Sequence, residues 1–294
     1  MIKPPPLAKT QKIGIVALAG PMDSNQLLAG EDYLKSLGYD VLIAPSCFER
    51  NRYLAGNSDE DRALDLKMLF AEDEIGAILN MRGGYGSNRI LPYIKDFNFA
   101  KYPKPFIGYS DITYMHIYLN QKHNLITYHG PMIKDLLKDD DLTTKEWVKT
   151  ALEGIPLTLK GVTFANGEME RVAGITTGGN LTIVCSTLGT PTEIDTRGKI
   201  LFLEEINEEP YAIDRLLTQL IYAGKIHDSA GLILGDFGGT DQEEVMKTIE
   251  KILLPTGKII ATYIPAGHTI PNLTIPLGAR CTLDGIRGRI AFQE

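Results

Sequence analysis

Short, uninterrupted apolar runs alternate with segments of helical period through the first half of the chain, and this alternation sets the narrowest limits on its fold. The runs are KIGIVAL at 12–18, DVLIA at 40–44, IGAILNM at 75–81, PFIGY at 105–109 and LITY at 125–128. A strand with one wet face alternates apolar and polar residues, so continuous runs predict strands buried on both faces. Between them, 26–37 and 59–71 carry apolar residues at helical spacing. Gly38 is a natural stop for the first, and Asn57 and Ser58 are caps for the second. Strand–helix–strand alternation with right-handed crossovers gives an open parallel sheet flanked by helices, of the Rossmann or flavodoxin type.

From about 136 to 171 the chain turns polar and interrupted, and the stretch reads as a linker or boundary. Beyond it, strands at 199–206 and 230–234, helices at 212–223 and 242–254, and shorter strand-like runs at 259–264, 273–277 and 289–292 predict a second, smaller α/β domain. The expected organisation is therefore a domain over 1–135, a boundary over 136–171 and a C-terminal domain over 172–294.

With 294 residues, 44% hydrophobic and 23% charged, the chain can bury a core of ordinary size. A net charge of −7 and the lack of a Lys/Arg-rich run argue against nucleic-acid or anionic-membrane partners. No stretch approaches the roughly 18–20 consecutive apolar residues of a membrane span. The first twenty residues lack the pattern of a secretory signal. Cys47, Cys185 and Cys281 are widely spaced, with no CxxC pair, and read as buried thiols in a reducing compartment. A cytoplasmic protein without metal or cofactor is expected.

Ser110 lies in KPFIGYSD at 104–111, where a buried strand gives way to a helix pattern, DITYMHIYLN at 111–120. A serine at such a turn can present its hydroxyl at the sheet's carboxyl edge, with the amides that follow facing an oxyanion. Ile112 stands where the nucleophile-elbow pattern has its second glycine, so local sequence alone favours a simple helix cap. In RGGYGSNR at 82–89, adjacent glycines after a strand make Gly84 a candidate amide donor; a tight turn is the bland alternative. Glu204 and Glu205 end an apolar strand, and His268 sits in the Gly/Pro-punctuated loop ATYIPAGHTIPNLTIP at 261–276. A serine hydrolase needs such a carboxylate to hold its histidine.

Together these segments resemble the LD-carboxypeptidase family of serine peptidases, which includes murein tetrapeptide carboxypeptidases and microcin C immunity-type peptidases. The resemblance runs through KIGIVALAGP at 12–21, RGGYGSNRILPYI at 82–94, KPFIGYSDIT at 104–113 and YHGPM at 128–132. It continues through TTGGNLTIVCSTLGTP at 176–191, ILFLEEINEEPYAIDRLLTQL at 200–220, LILGDF at 232–237 and AGHTIPNLTIPLGARCTLD at 266–284. It implies a Ser110–Glu204–His268 triad, with Glu204 rather than Glu205 as the acid, and an oxyanion hole from the Gly84 and Asp111 amides. It also implies an active site between the domains, a small peptide substrate and a homodimer. Arg82 is the candidate for binding the substrate's terminal carboxylate.

Within the family the implied reaction is release of terminal D-alanine from a murein tetrapeptide. The microcin-type alternative cleaves peptidyl or aminoacyl nucleotides, in longer chains whose added loop stacks an aromatic on adenine. Here the single tryptophan, Trp147, lies in the polar stretch and no long insertion separates 179 from 204, which favours the murein reading. A non-catalytic two-domain ligand-binding protein is the alternative of a different class. A cysteine amidotransferase is set aside because the elbow holds serine.

Overall fold

The apolar runs become the strands of a parallel sheet in a computed structural model that describes residues 1–137, 142–239 and 241–293. The chain divides into two compact units, Met1–Ile155 and Pro156–Glu294. In the first unit, β1 (Lys12–Val16), β2 (Asp40–Ile43), β3 (Ile75–Asn80), β4 (Phe106–Gly108) and β5 (Thr127–His129) lie in the order β5-β4-β3-β1-β2, every neighbouring pair parallel. All of β3 is buried, as a central strand covered on both faces must be. The chain crosses from β2 over β1 to β3, so a topological switch point lies at the carboxyl ends of β1 and β3. Open α/β sheets bind ligands at such points.

Local chemistry sets the helix ends. Helix α1 (Ser24–Ser36) starts where the Asp23 carboxylate accepts from the amides of Asn25 and Gln26, and it stops before Gly38, whose φ is 87°. Helix α2 (Asp59–Ala71) starts at Ser58, whose hydroxyl accepts from the Asp61 amide, and three acids fill its first turn, where the helix dipole favours them. Helix α3 (Thr113–His123) follows a single 3₁₀ turn, Ser110–Ile112, and ends at left-handed Asn124.

The unit boundary falls inside the polar stretch. On one side, 142–152 forms α4 (Leu142–Leu152), which buries Val148, Ala151 and Leu152 and leaves Trp147 half-buried. On the other, β6 (Thr158–Lys160) and β7 (Thr163–Asn166) are the two edge strands of the second unit's sheet. The remaining strands are β8 (Arg171–Asn180), β9 (Ile200–Ile206), β10 (Gly231–Gly238), β11 (Ile260–Thr262), β12 (Arg280–Asp284) and β13 (Arg289–Gln293), in the order β6-β13-β12-β8-β9-β10-β11-β7.

Strand β8 joins two kinds of pairing. Its first half runs antiparallel to β12 and its second half parallel to β9, opposing Asn180 to Glu204. Helices α5 (Leu181–Ser186), α6 (Pro210–Tyr222) and α7 (Gln242–Leu253) connect the parallel strands. No helix among the described residues is long and apolar enough to cross a membrane.

Candidate active site

The elbow after β4 is a strained point of the first unit. Ser110 has φ of +63°, a conformation that costs a non-glycine residue on the order of 1–3 kcal/mol. Burial of Ile107, Tyr109 and Ile112 around it, each contributing roughly 1.5–3 kcal/mol, is ample to hold the turn. No side chain caps either the 3₁₀ turn or α3, so capping does not explain the serine. Ser110 is half-buried, and its hydroxyl faces the glycine loop that follows β3: a Cβ on Gly83 would lie 2.9 Å from Ser110 Cβ and 3.1 Å from Oγ. Only glycine lets backbone come this close.

The next residue, Gly84, is exposed with φ of +121°. The loop is tied down from the β1 side, where Gly20 N–H and Arg82 Nε–H both donate to the Gly83 carbonyl at 3.2 Å. Arg82 Nη1 donates to the Pro21 carbonyl at 3.1 Å, so the half-buried guanidinium is at work within this loop system.

Behind the elbow, a chain of buried hydrogen bonds fixes the strand that carries it. His116 Nε2 lies 2.7 Å from the Gly108 carbonyl, which can only accept, so Nε2 carries the proton. Nδ1 then accepts from Thr127 Oγ1 at 2.9 Å, and Thr127 Oγ1 accepts from Asn120 Nδ2 at 3.1 Å. Full burial lowers the His116 pKa to about 4, keeping the ring neutral.

In the second unit, Glu204 and Glu205 sit on opposite faces of β9, as the two-residue period of a strand requires. Glu205 accepts from Asn180 Nδ2 and from the Thr182 amide, both at 2.8 Å, and thereby ties down the first turn of α5. Glu204 is fully buried and lies 2.8 Å from His268 Nδ1. Burial pushes the Glu204 pKa up, and the hydrogen bond to His268 opposes that shift. With Nδ1 donating to the carboxylate, the lone pair of the neutral ring sits on Nε2, the tautomer of a general base.

Two glycines let the histidine loop reach the acid. A Cβ on Gly267 would come within 2.5 Å of Glu204 Oε2, and one on Gly235 within 2.6 Å of the Ala266 carbonyl. The register between β9 and β10 shifts after Leu203, an irregularity of the kind found beside functional sites. Half-buried Asp236 follows Gly235 on β10. Burial raises its pKa and the nearby His268 lowers it, so a second carboxylate flanks the histidine.

The two halves of the chain match the two domain models of one peptidase family: the LD-carboxypeptidase N-terminal domain over residues 13–130 and the LD-carboxypeptidase C-terminal domain over 173–283. The chain belongs to the LD-carboxypeptidase family. It is a serine-type carboxypeptidase. The probable murein peptide carboxypeptidase of Bacillus subtilis is 37% identical over 96% of this chain and 91% of its own. The muramoyltetrapeptide carboxypeptidase from Oxalobacter formigenes is 30% identical, with a TM-score of 0.86 over 96% of this chain and 98% of that one. MccF in complex with glutamyl sulfamoyl guanosine shares the fold, with a TM-score of 0.89 at 22% identity over 99% and 98% of the two chains.

Seen as an LD-carboxypeptidase, the chain has polar groups around its elbow that motif reading passed over. Ser87 and Arg62 are both buried beside the glycine loop. Ser87 gave no signal of its own inside RGGYGSNR. Arg62 did: it precedes Leu66 and Phe70 by four and eight residues, which puts a charge on the apolar face of α2.

Proposed function

We propose that this carboxypeptidase releases the terminal D-alanine from murein tetrapeptides through an acyl-enzyme on Ser110. His268 Nε2 takes the Ser110 Oγ proton as the oxygen attacks the carbonyl that precedes D-alanine. Glu204 holds the ring and stabilises the imidazolium. The Gly84 and Asp111 amides receive the oxyanion, where one donor is typically worth about 10²–10³ in kcat. The imidazolium then protonates the departing amine, D-alanine leaves, and a water activated by His268 hydrolyses the ester to release the tripeptide and restore Ser110.

One observation carries the reading: a fully buried glutamate hydrogen-bonded at 2.8 Å to the Nδ1 of a partly exposed histidine. A ligand-binding protein has no need to bury a carboxylate for the sake of one imidazole tautomer. The murein substrate is supported by the relatives named for murein peptides at 30% identity and above. A peptidyl nucleotide is the second reading, supported by the guanosine-containing ligand of MccF. A homodimer in the cytoplasm completes the proposal, with three buried, unpaired cysteines in keeping with a reducing compartment.

The deciding experiment is mass spectrometry of L-Ala-D-Glu-meso-diaminopimelate-D-Ala incubated with wild type and with Ser110→Ala. Loss of D-alanine with wild type alone is the expected result. An intact tetrapeptide beside a cleaved peptidyl-adenylate would move the substrate class to nucleotides, and inertness toward both would return the chain to the binding-protein reading.

A further inference from the structure

An oxyanion hole built from Gly84 and Asp111 draws one amide from the glycine loop and one from the elbow, two segments far apart in sequence. Their amides serve a transition state only if the segments are held in register, because such donors work by being fixed before charge develops. A specific set of buried groups spans the gap. The Asp111 carboxylate, on a residue 1% exposed, reaches from the elbow to the loop, where Oδ2 accepts from the Ser87 amide at 2.8 Å. Ser87 answers in the other direction, its hydroxyl donating to the Asp111 backbone carbonyl at 2.6 Å. Asp111 is thus held at its main chain and its side chain by one residue of the opposing loop.

Arg62 closes the arrangement from α2. It is 0% exposed, and its Nη1 donates to the Gly86 carbonyl at 3.2 Å and to the Leu18 carbonyl after β1. Its Nη2 pairs with Asp59; burial raises the Asp111 pKa, and the Ser87 hydrogen bonds and the Arg62 charge oppose that shift. Buried charges are costly, and apolar residues of similar volume commonly hold a turn as well or better. What the ionic arrangement adds is direction: a carboxylate on the Ser87 amide and a guanidinium on the loop carbonyl fix orientation as well as proximity.

We infer that Asp111 and Ser87, backed by Arg62, form a clamp that sets the register of the oxyanion hole, making Ser87 and Arg62 positioning residues for acyl transfer. The inference rests on the proposed roles of Ser110 and of the two amides. It assigns Ser87 a task at the transition state, where a structural serine would serve only stability.

The test compares wild type with Ser87→Ala, Ser87→Thr and Asp111→Asn on the murein tetrapeptide. Two inhibition constants accompany the kinetics: one for a tripeptide aldehyde of the acyl half, which adds Ser110 Oγ–H across its C=O and places an oxygen in the hole, and one for the product tripeptide. Ser87→Ala should lower kcat on the order of tenfold or more, with KM changed less than about threefold. Aldehyde affinity should fall in step with kcat/KM and product affinity should stay, while Ser87→Thr restores kcat. Asp111→Asn keeps the side chain's shape and should show the same split, so the test stands if Ser87→Ala does not fold. An active wild type whose folded variants keep kcat, or lose both affinities equally, overturns the clamp and leaves the reaction in place. A wild type that neither releases D-alanine nor binds the aldehyde at Ser110 overturns the reading of the reaction, and the clamp with it.

Discussion

Glu204 and Glu205 leave the same strand on opposite faces, and their surroundings set the proposed catalytic acid apart from its structural neighbour. Glu205 receives two hydrogen bonds from the start of α5, and its removal strands buried donors, at a cost of about 1–3 kcal/mol. Glu204 receives His268 and sits where its charge is costly. Glu204→Gln keeps the shape and loses the charge that stabilises the imidazolium, so kcat should fall by about 10²–10⁴. Because burial raises the Glu204 pKa, the folded state holds its proton more tightly than the unfolded state. Its ionisation therefore costs stability as pH rises through that raised value. The glutamine variant removes this cost, and its melting temperature at neutral pH should equal or exceed that of wild type. Glu205→Ala should do the reverse, melting earlier with the surviving folded enzyme still turning over. Kinetics and thermal melts on the two variants check both, and a folded, inactive Glu205→Ala beside an active Glu204→Gln would exchange the roles.

At the scale of elements, the parallel sheet was legible because its strands are buried on both faces and leave continuous apolar runs, β3 most of all. Strands β6 and β7 left no such trace. β6 is exposed at Thr158 and Lys160, so an edge strand looked like polar linker. At the candidate site, residue type alone singled out Ser110, Glu204 and His268, and the structure pairs the last two at 2.8 Å; what depends on contact left no trace. Nothing in the sequence shows that Gly83 rests on Ser110, that Ser110 adopts a positive φ, or that His116 holds β4.

The β4–α3–β5 network has a pH signature. With its folded pKa near 4 and an ordinary value of 6.5, neutral His116 supports the fold fully above about pH 6.5. Between those values the unfolded chain binds the extra proton, so stability falls as pH drops, by roughly 3 kcal/mol at most. Protonation would also put a second N–H against Thr127 Oγ1, which already takes a bond from Asn120. Urea midpoints between pH 7 and 4 should fall more steeply for wild type than for His116→Gln, whose amide can still donate to Gly108. Parallel profiles would remove His116 from this role.

Across the whole molecule, each unit has a thiol buried in its own core, so cysteine chemistry can follow the two units separately. Cys47 belongs to the first unit, its Sγ 3.5 Å from the Ile15 carbonyl on β1; Cys185 and Cys281 belong to the second. Burial is the main cause of a raised pKa at all three, to about 12 for Cys185 and Cys281 and higher for Cys47. The reactive species is the thiolate, which at pH 8 is then scarce as well as shielded. Native protein should therefore show no fast-reacting thiol with a disulfide reagent at pH 8, and the urea-unfolded chain should show three. Peptide mapping of thiols labelled along a urea series should report the first unit through Cys47 and the second through Cys185 and Cys281 appearing together. A thiol that reacts rapidly in the native enzyme would contradict its burial. Separation of Cys185 from Cys281 along the series would show that the second unit, whose β8 ties its parallel and antiparallel halves into one sheet, does not unfold as one body.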